Sequence, residues 1–492
     1  MTGTSRQAAG SASKPGPELD LPPLLSLVGG KWLPGETSFP VLDKYTQSAV
    51  AEVGQASPEQ VAQAVTIAQQ AFERGAIAPV DRARILRKAA ELVEARRESL
   101  ADLMVAETGF TAADSLGDIS RTIVTLNLCA EEATRIVGET VAFAATRGQE
   151  GRLGFTIRVP LGVVCAITPF NSPLNTVAHK IGPALAAGNP VVLKPANLTP
   201  LCAAALCQIL LDAGLPPDML ALLQGSGSKI GQALVEDQRI AFYSFTGSTR
   251  VGRAIQQGAG LRRTQMELGS IASTIVRADA DLDRAIPRIA NAGFRKAGQV
   301  CTSVQRLYVE KAVFEEAVAR LADAAKAMPA GDPRAAATMV GPMIAESEAI
   351  RAESWIREAQ AGRADIRCGG TRAGPVLSPT VVTGAQSGMR VVDEEIFAPV
   401  ISVMPFERLE EAVAHANNTP FGLAAGIFTR DVESALACAQ TLRFGAIHIN
   451  ETSSCRADGM PFGGVKESGF GHEGPKYAIQ ELTEERLITF NR

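Results

Sequence analysis

Leu161-Gly162-Val163-Val164-Cys165-Ala166-Ile167-Thr168-Pro169-Phe170-Asn171 is the stretch that decides the fold. Its apolar run, 162–167, shows no polar alternation and stops at a turn of polar and aromatic residues. Similar runs recur at 190–193, 219–223 and 240–245, each followed by a helix-forming segment. Continuous apolar strands separated by amphipathic helices predict a parallel sheet covered on both faces. Ligands of such sheets bind beyond the carboxyl ends of the strands. The polar turns stand there: Thr168 to Asn171, Lys194 to Asn197, Gly225 to Ser228 and Thr246 to Ser248.

Upstream, 58–109 carries helical spacing, with Ser57-Pro58-Glu59-Gln60 as a start signal. A further helix is expected at about 117–137, and the alternation over 139–159 suits a hairpin. Downstream, 261–455 reads as a second α/β stretch with strands at 307–310, 400–406, 424–429 and 445–450. Residues 477–490 read as a short helix and then an extended segment. Residues 1–23, rich in Ser, Ala, Gly and Pro, are expected to form a disordered tail.

Composition narrows the function. The 492 residues are 46% hydrophobic and 20% charged, with 48 Lys and Arg against 52 Asp and Glu. That balance suggests neither a nucleic-acid nor an anionic-membrane partner. No apolar stretch approaches the roughly 18 residues that span a bilayer. Eight dilute cysteines suit a reducing cytoplasm rather than a disulfide scaffold, and four scattered histidines give no metal motif. Small-molecule partners are expected.

Two Gly-rich turns, at 225–231 and 245–252, could cradle phosphate at a helix start, although neither has the G-x-G-x-x-G spacing, and ordinary tight turns look the same. Cys301, in Gly298-Gln299-Val300-Cys301-Thr302, could be a nucleophile if accessible and lowered in pKa. On composition alone a lone cysteine in a large protein is usually structural. Glu267, among apolar and small residues, would have a raised pKa suited to a general base, or would be an ion-paired structural acid. Asn171 offers an amide donor at the ligand end of the sheet, or simply bonds its own turn.

Taken together and in order, these segments strongly resemble the aldehyde dehydrogenase superfamily. The matching segments are Pro169-Phe170-Asn171, Leu193-Lys194-Pro195-Ala196, Phe245-Thr246-Gly247-Ser248, Glu267-Leu268-Gly269, Gly298-Gln299-Val300-Cys301, Glu394-Glu395-Ile396-Phe397-Ala398-Pro399 and Pro461-Phe462-Gly463-Gly464-Val465-Lys466. The segment from Arg456 to Gly469 is similar to the lactaldehyde and non-phosphorylating glyceraldehyde-3-phosphate branch. The resemblance implies an α/β architecture. A Rossmann-like cofactor domain would span 24–138 and 159–260, and an α/β catalytic domain 261–455. A return segment would occupy 456–476, and a small β oligomerisation arm 139–158 and 477–492. A homodimer or homotetramer is implied.

The same resemblance assigns roles. Cys301 attacks the aldehyde, the Asn171 amide and the Cys301 backbone N–H hold the oxyanion, hydride leaves for NAD or NADP, and Glu267 activates water to hydrolyse the thioester. Lys180 and Glu473 match positions proposed to relay protons. Cofactor contacts fall on Thr168, Pro169, Phe170, Lys194, Ala196 and Asn197. Others fall on Gly227, Phe245, Thr246, Gly247, Ser248, Leu268, Gly269, Glu395 and Phe397. Arg121, His179, Thr302, Arg456 and Phe462 would line the substrate entrance, which an arginine fork would suit to a short polar or hydroxylated aldehyde.

Two departures bear on the cofactor. Asn197 stands where NAD-preferring members carry Glu, so a 2′-phosphate is neither repelled nor attracted there. Ser270 replaces the second Gly of the usual Glu-Leu-Gly-Gly. A CoA-acylating enzyme is the alternative that Glu267 argues against. A non-catalytic cofactor-binding protein is the alternative that Cys301, Glu267 and Asn171 argue against.

Overall fold

The computed structural model describes residues 21–491; most of the expected tail, 1–23, lies outside the described residues. Five parallel strands form the heart of an eight-stranded sheet, in the spatial order Leu220–Leu222, Val191–Lys194, Val163–Ile167, Ile240–Thr246 and Arg263–Glu267. Ser26–Val28 and Lys31–Leu33 extend one edge antiparallel, and Gly469–Phe470 the other. The chain runs outward from Val163–Ile167 through two strands and then returns to lay Ile240–Thr246 on its other side. That reversal opens a crevice at the strands' carboxyl ends.

The helical stretch is three helices: Pro58–Arg74, Pro79–Ala95 and Arg97–Thr108. Ser57 and Gln60 cap the first reciprocally, Ser57 Oγ accepting from Gln60 N–H at 3.2 Å and Gln60 Oε1 from Ser57 N–H at 3.0 Å. The next helix, Ala112–Ala133, starts earlier than expected because the Thr111 hydroxyl caps it through Asp114 N–H.

A second sheet of seven strands carries the catalytic stretch: Asp365–Cys368, Thr380–Thr383, Val400–Phe406, Val304–Glu310, Ala272–Val276, Ala424–Phe428 and Ala446–Ile449, all parallel except the first. The expected boundary at residue 261 needs correction. Arg263–Glu267 pairs in register with Ile240–Thr246, so the first sheet keeps it and the crossing to the second sheet comes after Glu267. A third sheet joins Thr483–Asn491 to Arg152–Pro160 along nine residue pairs, with Thr140–Val141 on the far side.

Candidate active site

A cavity of about 420 Å³ sits in the crevice and is closed from the other side by the second sheet's loops. Most of the expected site residues meet on its wall. Thr168, Pro169, Phe170 and Asn171 come from the turn after Val163–Ile167, and Phe245, Thr246, Gly247 and Ser248 from the end of the next strand. Glu267, Leu268 and Gly269 end Arg263–Glu267 and begin the crossing. Ala196, His179, Cys301, Thr302, Glu395, Phe397, Arg121, Arg456, Phe462 and Glu473 complete the overlap with expectation. Lys180, Lys194, Asn197 and Gly227 lie off the wall.

Cys301 follows a turn whose backbone is left-handed at three successive residues, Lys296 (φ 52°), Ala297 (φ 53°) and Gly298 (φ 68°). Its thiol is half-buried. The lowered pKa looked for in a nucleophile is not found. Burial pushes the thiol up to about 12, and the nearby carboxylates of Glu267 and Glu395 add to this against the opposing Arg456 charge. The sulfur therefore waits as a thiol and needs a base when it reacts.

Glu267 has the raised pKa that its surroundings predict. Burial lifts it well above the ordinary carboxylate value, the Glu473 charge reinforces this, and both carboxyl oxygens are buried without a hydrogen-bond partner. Glu473 behaves oppositely. Burial alone would raise it, but Lys180, with its Nζ 2.9 Å from Oε1, and the Arg456 guanidinium on Oε2 hold it well below the usual range. Two neighbouring carboxyls thus have widely separated proton affinities, the pattern of an acid–base pair. Asn171 Nδ2 donates to the Gln299 carbonyl at 2.9 Å. An amide nitrogen carries two hydrogens, so one remains for the cavity.

The arginines depart from expectation. Arg121 does not present an open fork: its guanidinium is spent on Asp458, with Nη2 2.7 Å and Nε 3.2 Å from Oδ1. His179 Nε2 lies 3.0 Å from the same oxygen, and burial lowers its pKa. Arg456 is held by Glu473 and stacks 3.8 Å over the Phe462 ring. Sequence reasoning missed Arg295. It lines the cavity, donates to Ser454 Oγ at 2.9 Å, and has no ion-pair partner among the described residues. Burial lowers its pKa, yet a guanidinium remains charged at physiological pH. Its only sequence signal was its place shortly before Cys301.

The remaining wall fits a dinucleotide. The helix Thr249–Ala259 begins at Ser248 with no side chain capping its first N–H groups, an arrangement that favours phosphate. Thr168 Oγ1 is buried without a partner. A Cβ at Gly269 would stand 3.0 Å from Glu395 Oε2 and 3.1 Å from Thr249 Oγ1, so glycine keeps that floor open. Glu395 accepts from Ser270 N–H at 2.9 Å, and burial pushes its pKa up to about 7. Phe397 meets Phe170 edge to face at 5.9 Å. Off the wall, Lys194 Nζ donates to Pro195 O at 2.9 Å and lies 3.4 Å from Asn197 Oδ1, with no ion-pair partner among the described residues. Among the described residues no cluster of His, Cys, Asp and Glu could hold a metal, and no helix is long and apolar enough to cross a membrane.

The profile of the aldehyde dehydrogenase family matches residues 32–488. The chain belongs to that family. A 3-sulfolactaldehyde dehydrogenase of Priestia megaterium is 43% identical, the alignment covering 94% of this chain and 97% of the relative. The solved aldehyde dehydrogenase 21 of Physcomitrella patens, in complex with the reaction product succinate, superposes with a TM-score of 0.92 at 35% identity, over 95% of this chain and 98% of that one. A glyceraldehyde-3-phosphate dehydrogenase of Methanocaldococcus jannaschii complexed with NADP gives 0.89 at 33%, over 93% and 100%. This aldehyde dehydrogenase fits the lactaldehyde and glyceraldehyde-3-phosphate branch, and is an NAD(P)-dependent oxidoreductase. The CoA-acylating and non-catalytic alternatives are not favoured.

Proposed function

We propose that this aldehyde dehydrogenase oxidises a short polar aldehyde carrying an anionic group to the corresponding acid, through a thioester on Cys301. The observation that carries the substrate class is Arg295, a guanidinium on the cavity wall without a carboxylate partner among the described residues. A planar fork of donors suits a carboxylate, sulfonate or phosphate. A similar protein acting on 3-sulfolactaldehyde and a structural neighbour holding succinate support the same class.

In this reading the Cys301 thiol loses its proton to solvent and the sulfur bonds to the carbonyl carbon. The free N–H of Asn171 and the backbone N–H of Cys301 hold the oxyanion, each such donor contributing roughly 3–4 kcal/mol. The bound nicotinamide supplies the hydride acceptor. Glu267 then takes a proton from the water that attacks the thioester, releasing the acid and restoring the thiol. Lys180, 2.9 Å from Glu473, keeps that second carboxylate charged and so keeps Glu267 a proton acceptor once it has ionised. Thr246, Ser248, Glu395 and Phe397 are read as cofactor contacts, with Asn197 leaving room for either NAD or NADP. A homodimer or homotetramer built through the three-stranded sheet, in a reducing cytoplasm, completes the reading. The exposed Leu487 and Phe490 on its edge strand and the eight unpaired cysteines support it.

The test compares succinic semialdehyde and lactaldehyde with butanal in wild type and Arg295→Met. The anionic aldehyde is expected to lead in kcat/KM. The substitution should raise its KM by roughly 10- to 100-fold, the value of a charge-assisted hydrogen bond, while sparing butanal. Preference for butanal, or an indifferent Arg295→Met, would overturn the substrate class.

A further inference from the structure

A buried ion pair joins the two halves of the site and has no part in the chemistry above. Asp118, on helix Ala112–Ala133, is inaccessible to solvent, and the Lys296 ammonium lies 3.2 Å from its Oδ1. The carboxylate also accepts from Ser172 Oγ and, at 3.1 Å, from Asn175 N–H. Lys296 Nζ donates a second bond, at 3.2 Å, to the backbone carbonyl of Asn171, and stands 4.4 Å over the Phe110 ring.

The turn that carries the nucleophile therefore grips Asn171 twice. Lys296 holds its backbone oxygen, and the Gln299 carbonyl holds its side-chain amide at 2.9 Å. The turn is itself fixed. Gln299 Nε2 donates to Lys296 O at 3.2 Å, and Gln299 Oε1 accepts Ile344 N–H at 2.8 Å. Left-handed backbone at Lys296 and Ala297 is sparsely populated for residues with a Cβ, and persists only where the surroundings over-determine it. A buried Lys–Asp pair stabilises little beyond what apolar side chains of similar volume would give. Its effect here is orientation.

We infer that Lys296, anchored on Asp118, is a positioning residue that fixes the Asn171 amide against the Cys301 turn, so that the oxyanion donor and the nucleophile move as one unit. The inference rests on the reading of Asn171 as the oxyanion donor. Lys296 also borders the cavity, but the role inferred here runs through its bond to the Asn171 carbonyl, and the comparison of an anionic with a neutral aldehyde separates that role from direct contact with the substrate.

Lys296→Met alone leaves Asp118 buried and unpaired, so the decisive variant is K296M/D118N, which removes both charges. It is compared with wild type, N171A and the triple variant K296M/D118N/N171A, using one anionic and one neutral aldehyde. Loss of fixed geometry should lower kcat by about tenfold to a hundredfold for both aldehydes equally, with KM within about threefold. Cofactor affinity and the rate of Cys301 alkylation by iodoacetamide, which needs no oxyanion donor, should stay at wild-type values. The triple variant should be no slower than N171A. Wild-type kcat in K296M/D118N, losses that multiply with N171A, or a KM increase confined to the anionic aldehyde would overturn the inference. An unimpaired N171A would instead refute the oxyanion reading on which it stands.

Discussion

Cys301 meets its substrate as a thiol, since burial and neighbouring carboxylates push its pKa up to about 12, and Glu267 is lifted above its ordinary value by burial. Both reactive forms, thiolate and carboxylate, therefore become more populated as pH rises. The expected kcat/KM profile climbs as pH rises and is still climbing at the alkaline end, because the thiol keeps its proton until about 12. A flat or falling profile would contradict that assignment. Glu267→Gln should still give a stoichiometric burst of cofactor reduction, as the thioester forms and stalls, with steady-state turnover reduced about 10²- to 10⁴-fold. A missing burst would move the base's role to the first step. These roles came from the ordered motifs that resemble the family; on residue chemistry alone Cys301, Glu267 and Asn171 each kept a structural alternative, and of the three only Asn171 stood just beyond an expected strand, 162–167. The guanidinium assignments were not legible in the sequence. Arg121 looked available because Asp458, which occupies it, is 337 positions away, and Arg295 gained meaning only when Ser454 and the cavity were beside it.

At the scale of elements, the site depends on where one sheet reverses and another begins. Glu267 ends a strand whose outer neighbour is Gly469–Phe470, with Glu267 opposite Gly469. Gly469 has φ 109°, and a Cβ there would lie 1.8 Å from the Met266 carbonyl oxygen. Gly469→Ala should therefore push the edge strand away, displace Glu267 and lose most turnover. Steady-state kinetics and a thermal melt, which should fall, would show this; a fully active variant would mean that the edge pairing does not hold the base. The turn after Val191–Lys194 governs the cofactor. Asn197→Glu adds a negative charge near Lys194 and should raise the KM for NADP on the order of tenfold while sparing NAD. Equal effects on both cofactors would place Asn197 away from the 2′-position. The apolar strands of the first sheet were legible because a strand buried on both faces shows no alternation. Arg263–Glu267, spelled Arg-Thr-Gln-Met-Glu, has no apolar run, and so the domain boundary was drawn before it. Ala272–Val276 was missed because Ser273 and Thr274, both buried, break its apolar pattern.

For the whole molecule, two mainly parallel sheets supply the two sides of one cavity, and the three-stranded sheet is separate from both in its strand pairing. Its edge strand, Thr483–Asn491, presents Leu487 and Phe490 to solvent, each 54% exposed, and an open strand edge with apolar residues favours pairing with another chain. Truncation after Thr483 should reduce the sedimentation coefficient to that of a monomer; an unchanged assembly would assign the interface elsewhere. Alternation after Gly138 made the hairpin legible, and the family resemblance joined 477–492 to it, whereas the register of Thr483–Asn491 on Arg152–Pro160 had no local signal in the sequence. The central claim, that Cys301 carries the acyl group of an anionic aldehyde, is most directly tested by intact and peptide mass spectrometry. Glu267→Gln enzyme would be mixed with cofactor and succinic semialdehyde and quenched in acid. One succinyl adduct is expected on the Cys301 peptide, absent in Cys301→Ala. Cofactor reduction with Cys301 unmodified, or the adduct on another cysteine, would contradict the central claim.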